Sequence, residues 1–119
     1  MRSHEDLIIW KESLELVKLT YRQTANFPDE ERFILVNHLR KSAISILSNI
    51  AEGAGRGSPN EFIRFLNISQ GSLAELHAQF IVSKELEYIR DLDEVNTLIF
   101  RLRKMISALI KSLKKPRTD

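Results

Sequence analysis

The sequence lacks cysteine, long apolar runs and any strong excess of one charge. With no Cys among 119 residues, disulfide bonds, thiolate nucleophiles and Cys-ligated metal sites are excluded. No stretch approaches the roughly 20 apolar residues that cross a bilayer, and the N-terminal residues 1–6 do not have the pattern of a signal peptide. We therefore expect a cytoplasmic protein without membrane contact. The net charge of +2 does not by itself indicate a polyanionic partner.

Glycine and proline are also scarce, with four and three residues, and this scarcity favours long helices. Apolar residues recur at helical spacing in four segments separated by short breaks. We predict helices over about residues 6–25, 28–52, 59–88 and 91–115. Four amphipathic helices with short connections predict a single all-α domain over residues 1–119, folded as an antiparallel up-down-up-down four-helix bundle.

Each predicted helix carries an apolar stripe with steps of three and four residues, which we expect to face the core. The four stripes are Trp10, Leu14, Val17 and Tyr21; Val36, Leu39, Ala43, Ile46 and Ile50; Phe62, Leu66, Ser69, Leu73, Leu76 and Phe80; and Val95, Leu98, Leu102, Met105, Leu109 and Leu113. The first two helices have a surplus of apolar residues beyond these stripes, namely Leu7, Ile8, Ile9, Leu16 and Leu19, then Phe33, Ile34, Leu35, Ile44 and Leu47. The surplus favours a subunit interface, and the alternative is ordinary exposure of a few Leu and Ile side chains.

Two stretches have the pattern of a helix start. Ser58-Pro59-Asn60-Glu61 is a capping-box pattern with Pro at the first helical position, and Asp91-Leu92-Asp93-Glu94 is a second one. The preceding Gly53-Ala54-Gly55-Arg56-Gly57 predicts a tight turn between two helices. Its backbone N–H groups offer an alternative role in phosphate binding, with Arg56 as the cation.

No catalytic or metal-binding pattern stands out. Glu-x-x-His, which di-iron bundles require, does not occur at His38 or His77, so we predict no metal and no cofactor. Arg32 precedes His38 by six residues, a spacing that resembles the Arg-x(4–6)-His motif of HEPN-type ribonucleases. Ribonuclease activity that uses Arg32 and His38 is therefore one alternative, although we predict that the protein is not an enzyme.

The charge distribution is more informative than the net charge. Residues 1–100 contain eleven Lys and Arg against fifteen acids, whereas residues 101–119 contain seven against one. A cationic stripe on the last helix is typical of contact with a nucleic-acid backbone, and the alternative is a solvated helix face. We see no aromatic residue on this stripe and predict no base stacking. The predicted contact residues are Arg56, Arg101, Arg103, Lys104, Lys111, Lys114, Lys115 and Arg117.

Several stretches together carry a family resemblance. They are Asp6-Leu7-Ile8-Ile9-Trp10-Lys11, Phe27-Pro28-Asp29-Glu30-Glu31, Arg40 to Gly53 with its Ser-Asn-Ile-Ala-Glu-Gly ending, Gly55-Arg56-Gly57-Ser58, Glu61-Phe62 and Gly71-Ser72-Leu73-Ala74-Glu75-Leu76. This chain resembles the bacterial four-helix-bundle proteins named for open reading frames in intervening sequences of 23S rRNA genes. The resemblance implies a ring-like homopentamer with no established catalytic activity. The family is related to the accessory variability protein of diversity-generating retroelements, which associates with nucleic acid and a reverse transcriptase.

The polar residues of the quoted stretches have a structural explanation. A buried Asn or Glu needs hydrogen-bond partners, so we predict a polar cluster of Asn49, Glu52, Arg56, Ser72 and Glu75 that ties the turn between the second and third helices to the bundle. The sequence as a whole predicts a non-enzymatic homo-oligomer that serves as a scaffold or accessory protein. Its expected partners are its own copies, RNA or DNA, or a nucleic-acid-processing protein, and the alternative is a purely structural protein-interaction module.

Overall fold

The structure is a computed structural model and describes His4 and residues 7–115. Its helices are α1 (Ile8–Thr24), α2 (Leu35–Ala54), α3 (Pro59–Glu85) and α4 (Asp93–Lys114), with a short 3-10 turn at Asp29–Glu31 before α2. The described residues contain helices and no strand, which confirms the predicted all-α fold with four helices. None of these four helices combines the length and the apolarity of a membrane span.

The four helices pack as neighbours around one core. α2 contacts both α1 and α3, and α4 contacts both α3 and α1, while between these described helices no contact joins the diagonal pairs. Ser45 of α2 meets Ser72 of α3, and further along α2, Gly53 meets Phe65 near the start of α3. This packing is compatible with the predicted antiparallel arrangement. The molecule measures 56 × 22 × 20 Å, so the helices run along one long axis.

Three helix ends differ from the predicted ones. α2 begins at Leu35 and not near residue 28, because Ile34 has φ −116° and ψ −94°, outside the helical region. α3 ends at Glu85, and the positive φ of 65° at Glu87 turns the chain away. α4 begins at Asp93, whose N–H is accepted by the Asp91 side chain at 3.0 Å. This bond spans two residues and replaces the predicted capping box.

The helix start at Ser58 is confirmed in part. Pro59 is the first helical residue, and the Ser58 Oγ accepts a hydrogen bond from the Glu61 backbone N–H at 3.4 Å. The Glu61 carboxylate does not return to Ser58 but binds Arg64 at 3.1 Å. This hydrogen bond from Arg64 lowers the pKa of Glu61 below its ordinary value.

The core stripes of α2 and α3 are confirmed, since all their predicted residues are buried. The predicted stripe of α1 is only partly correct, since Trp10 and Val17 pack against the edge of the core. Ile9, Leu16 and Leu19 enter the core, whereas Leu14 and Tyr21 are 36% and 41% exposed. Residues that the sequence presented as surplus on α1 therefore form its core face.

Hydroxyl residues explain the error in α1. Ser13, Thr20 and Thr24 are buried on the core side of the helix. Each donates to a carbonyl of its own helix: Ser13 to Trp10 at 2.7 Å, Thr20 to Leu16 at 2.8 Å, and Thr24 to the carbonyl of Thr20 at 2.8 Å. Because these hydroxyls are satisfied locally, they can face the core.

α4 is buried mainly in its first half. Val95, Leu98 and Leu102 are buried as predicted, together with Ile99 and Ile106 that the stripe omitted. Further along, the predicted core residues are only partly buried and pack against the edge of the core, namely Met105, Leu109 and Leu113. The C-terminal half of α4 therefore presents much of its circumference to solvent.

Candidate nucleic-acid interface

Six of the predicted cations lie exposed on the last two-thirds of α4 and at its C-terminus. No acidic residue occurs between residues 101 and 115. We call these six residues the α4 basic surface: Arg101, Arg103, Lys104, Lys111, Lys114 and Lys115. Arg117, the last of the seven cations predicted in residues 101–119, lies outside the described residues.

Three lysines form the outermost line of this surface. Lys111 and Lys115 follow Lys104 by about two and three helical turns, so their side chains leave the helix in similar directions. This direction is opposite to the buried residues Leu102 and Ile106. Within the described residues, none of these three lysines has a carboxylate within ion-pair distance.

The two arginines of the surface are turned toward neighbouring helices. Arg101 precedes Lys104 by three residues and is therefore rotated from it by about 60°. Its Nη2 donates to Oε2 of Glu12 on α1 at 3.0 Å. On the other side, the carbonyl of Arg103 accepts a hydrogen bond from Nε2 of Gln70 on α3 at 3.1 Å. The side chain of Arg101 thus joins α4 to α1, whereas Arg103 meets α3 only through its backbone carbonyl.

An aromatic residue borders the α4 basic surface, which corrects the expectation that it has none. Phe100 is 41% exposed, and the Arg103 guanidinium lies 5.6 Å from its ring centroid. On the other side, the ring of His77 meets Phe100 edge-on at 5.3 Å. The spacing of Phe100 and Arg103 could have revealed this pair, because residues three apart on a helix are neighbours.

Arg56 lies apart from α4, in the turn between α2 and α3. Its Nη2 donates to Glu52 at 2.7 Å, and its guanidinium lies 5.2 Å from the ring centroid of Phe65. Arg64 lies over the same ring at 4.5 Å. Since Arg56 is neutralised by Glu52, its positive charge is less available to a phosphate than that of the lysines on α4.

The predicted polar cluster is divided in two. Asn49 donates to the carbonyl and to the Oγ of Ser45 at 2.8 Å and 3.1 Å, and the Ser45 Oγ is 2.8 Å from that of Ser72. This chain of bonds joins α2 to α3. Glu52 is occupied by Arg56 one turn further on, because an (i, i+4) pair on one helix is within easy reach. Glu75 is exposed and, among the hydrogen bonds of the described residues, joins neither group.

The residues of the ribonuclease alternative are not brought together. Arg32 lines a small pocket with Thr24 and Arg40. His38 lines a different pocket of about 250 Å³, which it shares with Glu75 and neighbours on α2 and α3. A pair that acts on one scissile phosphate must face one site, so this geometry does not support the alternative.

The other cavities and side-chain clusters provide no reactive centre in the described part of the chain. A cavity of about 470 Å³ opens between α1 and α4, where Glu15, Asp93 and Glu94 face Arg22 and Arg101. The three acids outnumber the two cations, and no buried nucleophile lines this cavity. No group of three His, Asp or Glu residues that could hold a metal ion occurs among the residues that the structure describes.

Comparisons with known proteins agree with this fold. A protein of unknown function from the S23 ribosomal protein family of Bacteroides thetaiotaomicron has a similar structure, with a TM-score of 0.77 and 24% sequence identity over 87% of this chain and 99% of its own. None of the curated proteins compared with the chain matches it significantly. The family model of the 23S rRNA-intervening sequence protein matches residues 5–108. The chain belongs to the 23S rRNA-intervening sequence protein family.

Proposed function

We propose that this protein is a non-enzymatic, homo-oligomeric scaffold or accessory protein of the cytoplasm. In this proposal, the four helices form an up-down-up-down bundle, and the α4 basic surface binds the phosphate backbone of RNA or DNA, alone or together with a nucleic-acid-processing protein. The observation that carries the proposal is the run of six exposed cations on α4 without an intervening acid.

The geometry of α4 fits a phosphate backbone. Lys104 and Lys115 are separated by about 16 Å along the helix axis, a length that spans about five phosphates of one DNA strand. Lysines at such sites act as point charges and position the backbone without reading sequence. Phe100 at the edge of this surface provides an exposed ring for a base of a single strand.

Self-association is supported by apolar residues along α1 and α2 that the bundle leaves at least partly exposed. Leu14, Tyr21 and Ile44 are each about two-fifths exposed, and Trp10 and Val17 are only partly buried. Contact between copies would remove this apolar area from water. An assembly of five copies, as the resemblance implies, would also repeat the α4 basic surface and strengthen phosphate binding through multivalency.

One observation favours the alternative of a purely structural module. Arg101 is held by Glu12, so one of the six cations already has a role within the bundle, while the Arg103 guanidinium lies beside Phe100 of its own helix. The distinction depends on Lys111, Lys114 and Lys115, none of which has an ion-pair partner within the described part of the bundle.

The experiment is a titration of labelled RNA and duplex DNA at low and near-physiological salt. The test variant is Lys111→Glu/Lys114→Glu/Lys115→Glu, and the matched control is Lys11→Glu/Lys18→Glu/Lys41→Glu, which changes the same charge at exposed residues of α1 and α2. We expect wild-type affinity to fall steeply with salt. The α4 variant should lose about 100-fold or more in affinity at low salt, since it removes three phosphate contacts and adds repulsion.

Two outcomes would contradict the proposal. Absence of binding at low salt, or equal loss in both triple variants, would show that α4 is not a specific phosphate-contact surface. The RNA is also examined on a gel after incubation. Cleavage that His38→Ala abolishes would support the ribonuclease alternative instead.

A further inference from the structure

One end of the bundle is formed by two loops that contact each other. These are the loops between α1 and α2 and between α3 and α4, residues 25–34 and 86–94, which we call the acidic end. Tyr88 joins these loops, because its hydroxyl donates to Glu31 Oε2 at 2.9 Å and its ring lies 5.3 Å from that of Phe27. The hydrogen bond to Glu31 raises the pKa of Tyr88.

Apolar side chains project from the acidic end. Phe33 is 81% exposed and Ile34 is 60% exposed, and we call these two residues the apolar knob. Val82 and Leu86, near the end of α3, are also about half exposed. Exposed apolar side chains grouped at one site indicate a surface that another molecule covers.

The opposite end of the bundle contains an apolar pocket. It has a volume of about 320 Å³ and lies where the turn between α2 and α3 meets the last turn of α4. We call it the end pocket; its lining is Gly53, Ala54, Gly57, Ser58, Pro59, Phe62 and Leu113. The volume is sufficient for an aromatic ring such as that of Phe33.

The charges at the two ends are opposite. The acidic end has two cations, Arg32 and Arg90, against seven acids, which are Asp29, Glu30, Glu31, Glu87, Asp91, Asp93 and Glu94. The residues at the other end, 7–11, 49–64 and 108–115, have two acids, Glu52 and Glu61, against six cations, which are Lys11, Arg56, Arg64, Lys111, Lys114 and Lys115. Because these sets are separated along an axis of 56 Å, copies aligned head to tail bring opposite charges together.

From the knob, the pocket and the charges, we propose that the occupant of the end pocket is the apolar knob of a second copy of this chain. Phe33 enters the pocket against Phe62 and Leu113, while the acidic residues around the knob face the cations around the pocket. The proposal adds a specific contact to the self-association in the proposed function and does not depend on nucleic-acid binding. Such a contact is heterologous, so the knob of one copy and the pocket of the other stay free until the series closes into a ring.

A mixing experiment tests this contact directly. Phe33→Ser removes the knob, and Leu113→Asp places a charge in the pocket. Sedimentation velocity over a range of concentrations should show that each variant alone loses end-to-end association, by about 30-fold in affinity for an aromatic anchor. Mixed together, the two variants should form a complex, because the first retains its pocket and the second retains its knob.

Controls distinguish loss of this contact from loss of apolar surface elsewhere and from unfolding. Ile68→Ser removes an apolar side chain that is 41% exposed and lies on α3 away from both ends, so this variant should associate end to end like the wild type. Circular dichroism and thermal unfolding check that each variant is folded. Raising the salt should weaken the wild-type contact, since opposite charges are screened.

Two results would overturn the inference: equal association of Phe33→Ser and wild type, or no complex between the two variants when both are folded. Failure of the nucleic-acid proposal is a separate result. A protein that binds RNA without associating end to end contradicts only the proposed contact, and one that associates without binding RNA or DNA contradicts only the proposed role of α4.

Discussion

The α2–α3 pair and the last two-thirds of α4 belong to one bundle but make different polar contacts with their neighbours. Between α2 and α3, small residues let the backbones approach closely. Ser69 is fully buried and donates to the Ile46 carbonyl at 3.0 Å. Nearby, the hydroxyls of Ser45 and Ser72 are 2.8 Å apart. These bonds require a close and specific helix pair.

The last two-thirds of α4 are joined to the neighbouring helices by longer polar side chains at the surface. Gln70 reaches from α3 to the Arg103 carbonyl and to Ser107, and Glu12 reaches from α1 to Arg101. These are exposed contacts, and exposed polar contacts contribute little to stability. The free energy of unfolding should therefore depend more on the α2–α3 pair, while α4 is free to carry charges that a partner can use.

The largest effect is expected at Gly53, where α2 meets α3. A Cβ at Gly53 would lie 2.7 Å from the Cβ of Phe65 and 3.0 Å from Cδ1 of Phe62. Gly53→Ala should lower the free energy of unfolding by about 2 kcal/mol, because overpacking outweighs the higher helix propensity of Ala. Chemical denaturation monitored by circular dichroism measures this change.

Gly71 provides the matched control, since it lies in the middle of α3 with nothing within 4 Å of an added Cβ. Gly71→Ala should raise the free energy of unfolding by about 0.5–1 kcal/mol through helix propensity alone. If Gly53→Ala were as stabilising as Gly71→Ala, the close approach of α2 and α3 would be wrong.

A smaller effect separates the buried and exposed polar contacts of α3. Ser69→Ala removes a buried bond to α2 and should cost about 1 kcal/mol of stability. Gln70→Ala removes exposed bonds to α4 and should cost about half as much or less. The two residues are adjacent in the sequence, so denaturation of both variants compares the two interfaces of α3. A larger loss from Gln70→Ala would reverse the ranking of the interfaces.

The fold was predictable where polar and apolar residues separate cleanly. The stripes from Val36 to Ile50 and from Phe62 to Phe80 follow the helical period and all enter the core. α1 was not predictable in this way, because apolar residues surround it and its core face includes Thr20 and Thr24. Their hydroxyls donate hydrogen bonds to carbonyls of their own helix. A pattern of polar and apolar residues does not reveal that these hydroxyls are satisfied when buried.

The exposed cations of the candidate site could be predicted, but their partners could not. The sequence places Arg101 among the cations of the last helix. It does not predict the hydrogen bond of Arg101 to Glu12, because these two residues are far apart in the sequence. The exposure of Phe100 likewise depends on how α4 is rotated against α3. The polar residues of the predicted cluster are close in the sequence, and we therefore expected a single hydrogen-bonded group. In the structure, Glu52 instead pairs with Arg56, and Asn49 forms a separate hydrogen bond with Ser45.

The smallest stability effect is expected for Glu12, although its consequence for binding is informative. Glu12→Gln removes the partner of Arg101, whose side chain is 54% exposed. The free energy of unfolding should change by about 0.5 kcal/mol or less, as is typical of surface ion pairs.

If the α4 basic surface binds phosphates, the freed Arg101 should raise affinity for RNA or DNA by about 2–5-fold at low salt. Glu85→Gln is the control, because it removes the same charge at an exposed residue at the end of α3. An equal gain in both variants would indicate only the change in net charge, and a gain specific to Glu12→Gln would place Arg101 in the contact surface.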